Sequence, residues 1–154
     1  MTARKTRVLA TKSLAPGEAP DVSFVPPIQR RRLSPLQKIF FHLARMESAP
    51  PPANVVFASR DGEDTLTRRT VADFAADGGV SPQRFSASVY NAAPGMWSVF
   101  AKNKAPYTAL AAGDDSVRLA FAEALGMDEG PVLVVCAEET EGGHGFSVLF
   151  DFCG

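Results

Sequence analysis

Residues 85–138 read FSASVYNAAPGMWSVFAKNKAPYTALAAGDDSVRLAFAEALGMDEGPVLVVCAE. A helix opens near Asn91 and runs towards Lys102, kept short by Pro94 and Gly95. Tyr107 to Ala111 is a short strand that ends at the tight turn Ala112-Gly113-Asp114-Asp115-Ser116. A helix over Asp114 to Leu125 follows, with acidic residues at its positive end. Val132 to Ala137 (VLVVCA) is uniformly apolar, the pattern of a strand covered on both faces. A strand that runs straight into a helix start is where amide dipoles can activate a cysteine nucleophile. This turn holds no cysteine. The turn therefore offers no cysteine nucleophile.

The flanking sequence extends the same alternation. Residues 1–30 are rich in proline and polar residues and read as an extended arm, with a short strand over Thr6 to Thr11. Ser34-Pro35-Leu36-Gln37 is a helix start: Ser34 caps, Pro35 suits the first helical position and Gln37 completes a capping box. Leu36, Ile39, Phe40, Leu43 and Met46 fall on one face, and the helix stops before Pro50-Pro51-Pro52. Asn54 to Ser59 is a buried strand. Leu66 to Ala76 is a helix with Leu66, Val71, Phe74 and Ala75 facing inward, ended by Gly78-Gly79. Ser81-Pro82 begins a loop into Phe85 to Tyr90. After a glycine-rich turn, Phe146 to Phe152 alternates as a closing antiparallel strand. Strands separated by helices of this length predict an α/β fold whose mixed, mostly parallel sheet is covered by helices. Residues 31–154 form the folded domain behind the arm.

Composition narrows the function. The chain of 154 residues is 45% hydrophobic and 21% charged, with a net charge of −1. That is a globular domain able to bury a core, with no global charge suited to nucleic acid. No apolar run approaches the ~18 residues needed to cross a bilayer, no signal-peptide pattern opens the chain, and the expected location is cytoplasmic. Cys136 reads as a small buried hydrophobe, and two cysteines make no disulfide framework. His42 and His144 stand a hundred residues apart without ligand spacing, so no metal is expected. Neither the dinucleotide nor the Walker glycine pattern is present, so no cofactor is expected.

Three features carry two readings each. Gly113-Asp114-Asp115-Ser116 reads as a capping turn, with an acid/base site as the alternative. Arg30-Arg31-Arg32 reads as a solvated charge cluster or as a contact for an acidic partner. Met96, Trp97 and Phe100, with Phe85 and Val89 before them, read as core packing or as an apolar surface for a partner or an acyl chain.

Asn91 to Val99 matches the pattern N-x-x-x-G-x-x-(S/T)-I with which ketosynthases open the helix before their nucleophile strand. Lys104-Ala105-Pro106 stands where they have R-G-P, and Asp114 falls at the cysteine by ungapped counting. Pro131 to Glu138 is similar to their apolar strand before G-G-A-E, with Cys136 for a glycine. The chain thus resembles the N-terminal half of the thiolase-like fold of ketosynthases, and among them the inactive chain length factors. It is most similar to the small ketosynthase-like family of aryl polyene and related pigment clusters. Shared with that family are R-R-R-L-S-P (Arg30 to Pro35), V-F-A-S-R (Val56 to Arg60), F-S-x-S-V-x-N-A-A (Phe85 to Ala93) and T-A-L-A-A-G-(E/D)-D (Thr108 to Asp115). Tyr90 departs from it, since histidine is common there.

The resemblance implies a non-catalytic subunit that pairs with an active ketosynthase in polyketide or fatty-acid-like biosynthesis and limits product length. No catalytic residue is implied, because Asp114 takes the nucleophile position and the half of the fold with the catalytic histidines is not represented. Ala105, Pro106, Tyr107, Thr108, Ala109, Leu110 and Ala111 form the strand by which the family dimerises. Phe85, Val89, Met96 and Phe100 lie where the family's gating side chains arise, and Arg30, Arg31 and Arg32 are candidates for contact with an acyl carrier protein. The alternatives are a stand-alone carrier-protein-binding module, or a small acyl hydrolase or transferase using Asp114 and Ser116.

Overall fold

The structure, a computed structural model, describes residues 5–46, 53–128 and 130–153. The prolines at 50–52, expected to stop the first long helix, lie outside the described residues. In chain order the elements are β1 (Lys5–Leu14), α1 (Pro27–Arg30), α2 (Pro35–Ala44), β2 (Asn54–Ala58), α3 (Asp64–Asp77), α4 (Pro82–Ser88), α5 (Ala92–Phe100), β3 (Tyr107–Leu110), a 3-10 turn (Gly113–Asp115), α6 (Ser116–Leu125), β4 (Val132–Glu138) and β5 (His144–Cys153).

The five strands form one mixed sheet in the order β1-β5-β4-β2-β3. β3, β2 and β4 are parallel, while β5 and β1 close the far side antiparallel. β4 is central, as its unbroken apolar run predicts. Its side chains alternate between two layers, because strand side chains alternate faces. Leu133, Val135 and Ala137 pack under α2 with Val55 and Phe57 of β2. Val132, Val134 and Cys136 pack under α6 with Val56 and Ala58. Burying each such aliphatic side chain is worth ~1.5–3 kcal/mol, and six of the seven β4 residues are buried.

α2 starts as its sequence requires. Ser34 Oγ accepts from the Gln37 N–H, and Gln37 Oε1 accepts from the Ser34 N–H. The helix is buried well beyond one stripe: Gln37, Phe41, His42 and Ala44 are buried with Leu36, Ile39, Phe40 and Leu43, whereas Met46 lies past the helix end at Ala44 and is half-buried. The N-terminal segment supplies that cover. The strand expected over residues 6–11 extends to Lys5–Leu14 and joins the sheet, and Leu14, Val22 and Val25 enter the core. His42 Nδ1 accepts from the Asp21 N–H at 2.9 Å. Burial, and then the charge of Lys12, holds this imidazole below its ordinary range.

Two local expectations are corrected. Residues after Ser81 form the helix α4, not a loop, because Ser81-Pro82 acts as a helix start and the Ser81 carbonyl accepts from the Phe85 N–H. On α3, Val71 (62% exposed) and Phe74 (58%) face solvent and Ala75 is exposed; Leu66 is half-buried and Thr70 is the buried residue. The reason is position: α3 packs chiefly on α4 instead of on the sheet, so its apolar stripe has no core to meet. Gly78 ends α3 as expected, with φ 68° in the left-handed region that glycine tolerates.

Candidate functional site: the edge strand and its flanking grooves

Among the described residues, β3 lies at the edge of the sheet and pairs with β2 alone. The Val55 and Ser59 N–H groups bond to the carbonyls of Pro106 and Leu110. Backbone bonding in a parallel ladder alternates, so Pro106, Thr108 and Leu110 face β2 while the N–H and C=O groups of Tyr107, Ala109 and Ala111 face outward. Ala105, Pro106 and Tyr107 lead into this edge, with Ala111 exposed at its end. The row is a template for another strand.

On the α5 side of the edge lies a groove of about 780 Å³. Three of the four gating candidates, Val89, Met96 and Phe100, line it together with Tyr107, and Arg32 and Lys102 stand in its wall. Phe100 is wedged among Phe24, Phe41 and Trp97, with ring centroids 5.8, 5.4 and 5.7 Å away. It therefore forms a packed floor. Tyr107 lies on α5 because Gly95 presents no Cβ; one built there would sit 3.1 Å from the Tyr107 hydroxyl. Phe85 is 59% exposed on α4 and is not among the residues lining the groove. Of the three arginines, Arg32 reaches the groove; Arg30 ends α1, half-buried, and Arg31 is exposed. Val99 is 80% exposed beside the groove. On the opposite side of the edge, Leu110, Ala111, Leu119 and Met127 line a second groove along α6.

The turn after β3 differs from its expected chemistry. Neither Asp114 nor Asp115 caps α6 through its side chain. Ser116, 5% exposed, holds the turn instead: its Oγ accepts from the Ala112 N–H (3.0 Å) and donates to the Gly113 carbonyl (2.7 Å). Asp115 pairs with Arg118 at 3.0 Å. Asp114 is exposed and lines a small pocket of about 210 Å³ with Arg60, Ser116, Glu138, Glu141 and His144. His144, read from the sequence as isolated, thus shares a pocket with Asp114 and Ser116. Glu138 is committed to the neighbouring loop: it accepts from Ser59 Oγ (2.8 Å), the Asp61 N–H (3.2 Å) and the Arg60 N–H.

Sequence reasoning noted Tyr90 only as a departure and assigned it no role. Its hydroxyl accepts from the Ser59 N–H (2.9 Å) and donates to the Leu110 carbonyl (2.7 Å), with the Ser59 carbonyl as a second acceptor within reach. It ties together the ends of β2 and β3. The ring lies against Gly62, φ 63°, where an added Cβ would come within 2.8 Å of it. Burial pushes the phenol up to about 12, so it stays a neutral donor. Cys136, 6% exposed in the core, is likewise pushed up to about 12 by burial. Among the described residues there is no cluster of metal-ligating side chains, and no helix is long and apolar enough to cross a membrane.

Residues 5–142 match the family described as beta-ketoacyl synthase, N-terminal domain. The fold superposes on a ketosynthase (ApeO) in complex with its chain length factor (ApeC) from Xenorhabdus doucetiae with a TM-score of 0.83. Identity there is 20%, over 95% of this chain and 78% of that one. It also superposes on the ishigamide ketosynthase/chain length factor with a TM-score of 0.63 at 17% identity, over 77% of this chain and 43% of the other. Likeness at these identities establishes the fold. No curated protein matches the chain.

Proposed function

The chain belongs to the family of beta-ketoacyl synthase N-terminal domains, and from that premise we propose that it is a non-catalytic partner of an active ketosynthase, of the chain length factor type. The observation that carries this reading is the β3 edge. Its outward backbone groups at Tyr107, Ala109 and Ala111 are flanked on both faces by apolar grooves, the features a strand-adding partner would cover. Pairing is expected to bury about 1,600 Å² or more, the size of a specific interface. A ketosynthase seated there would close the groove of Val89, Met96 and Phe100 into an acyl tunnel whose depth limits the product, with Phe85 joining its wall only in the complex. Arg32 in the groove wall, with Arg30 and Arg31 next to it in sequence, would meet an acidic carrier protein.

The turn after β3 supports the absence of catalysis by this chain. Ser116 donates its proton to the Gly113 carbonyl and not to a base, which leaves the hydroxyl unactivated in this arrangement. The competing reading, acyl transfer or hydrolysis, draws on the pocket shared by Asp114, Ser116 and His144. Co-expression with a ketosynthase separates the two. Copurification as a stoichiometric complex, with no thioester turnover by the isolated chain, is the expected result. Turnover by the isolated chain that is lost in Ser116→Ala would overturn it.

A further inference from the structure

Glu63 immediately precedes α3 and is 3% exposed. Its Oε1 accepts from Gln37 Nε2 at 2.8 Å, and its Oε2 has no protein partner. Glu139, just past β4, repeats the pattern: Oε1 accepts from the Thr65 N–H and Oε2 is buried without a partner. A buried carboxylate oxygen left unpaired is costly, and here two neighbouring carboxyls each have one. Gln37 extends the arrangement. The same Nε2 that holds Glu63 donates to the Ala87 carbonyl of α4 at 3.1 Å, and the adjacent α4 residue Ser86, with Val89, walls the groove beside β3.

We propose that Glu63, buried beside Glu139, is a proton-operated latch, which holds the α3–α4 hairpin against the domain while it is neutral and releases it when it is charged. A neutral Glu63 leaves no unpaired charge in this buried corner, where the charge of Glu139 already acts on it. A charged one must reach water. The shortest route is to lift the start of α3, which costs little because Thr70 is the buried residue of that helix.

The charges around the pair do not oppose this. On α2, Ser34 and Gln37 are uncharged. At the end of β4, Glu138 is held by Ser59, Arg60 and Asp61. On the preceding loop and on α3, Arg60 pairs with Asp61 and Arg68 with Asp64. From the α4–α5 corner comes the neutral Tyr90. Burial is the largest influence on Glu63; Ser34 and Gln37 partly offset it, and the charge of Glu139 adds to it, so the carboxyl stands at about 7. A raised folded value stabilises the closed hairpin below the ordinary carboxylate range, and that stabilisation is lost as pH rises to about 7. Across this window, opening grows on the order of tenfold per pH unit and then levels off.

Hydrogen exchange on the full chain, corrected for intrinsic rates between about pH 5 and about pH 8, reads the latch directly. Protection of residues 64–88 should fall with that slope up to about pH 7 while the β4 core does not, and Glu63→Gln should remove the slope. Flat wild-type protection, or an unchanged slope in the variant, would overturn the proposal. If Glu63→Gln fails to fold, Glu139→Gln decides. It removes the like charge and offers Glu63 a donor, so the fall must end at lower pH; an unchanged profile again overturns the latch.

Discussion

The Tyr90 hydroxyl donates to the Leu110 carbonyl at 2.7 Å while accepting from the Ser59 N–H at 2.9 Å. One side chain from the corner between α4 and α5 therefore fixes where β2 ends and where β3 enters its turn. Tyr90→Phe would leave the Ser59 N–H with its longer, 3.4 Å bond to the Leu110 carbonyl alone and loosen both strand ends. The expected cost is about 1–3 kcal/mol, or ~2–4 °C in Tm for each kcal/mol in a chain of this size. Thermal unfolding of the variant measures it, and an unchanged Tm would remove Tyr90 from this role.

Backbone alternation at the β3 edge gives a second test. Ala109 directs its N–H outward, so Ala109→Pro removes a donor that the chain's own sheet does not use. The isolated chain should fold with this change, and a ketosynthase that adds a strand there should lose the complex. Thr108→Pro, one residue earlier, deletes a bond to β2 and should destabilise by ~1–3 kcal/mol. Pairing that survives Ala109→Pro would move the interface off this strand.

The turn after β3 separates capping from chemistry. Asp114 is exposed and makes no side-chain cap, so Asp114→Ala should stay within about 0.5 kcal/mol of wild type. Ser116→Ala should cost about 1 kcal/mol, because its hydroxyl satisfies the Ala112 N–H. Denaturant titration of the pair reverses the assignment if the two costs are exchanged.

Cys136 should be inert to alkylating reagents in the folded chain. Burial keeps its thiol protonated near neutral pH, and the thiolate is the reactive form. Peptide mapping after labelling should find Cys136 modified only once the chain is denatured; rapid labelling of the native protein would mean that β4 is not the closed centre of the sheet.

If the chain pairs with a ketosynthase as proposed, Met96→Ala and Val89→Ala should lengthen the products without abolishing condensation, since both side chains line the groove. Phe100→Ala should cost ~3–5 kcal/mol as well, because a packed aromatic leaves a cavity. Phe85→Ala, from a solvent-facing position, should leave the stability of the isolated chain unchanged. Product profiles identical across the Val89, Met96 and Phe100 variants would make this groove packing alone.

The amino-acid sequence by itself determined the features whose partners lie within a turn or a pleat. The Ser34–Gln37 capping box spans three residues, and β4 announces its double burial by apolar residues on both faces of the strand. The strand–turn–helix order over residues 107–125 is equally local, and with the matching motifs it marks the family. The same local signals misled at α3. Periodicity shows which residues share a face but not what covers it, and Val71 and Phe74 share a face that stays exposed among the described residues. Tertiary closure alone decided the rest. Tyr90 meets Ser59 across 31 residues, Glu138 meets Ser59 across 79 and Glu63 meets Gln37 across 26. None of these separations leaves a pattern in sequence, because each polar group finds its partner only after the sheet brings the strand ends together and excludes the water that would otherwise satisfy it.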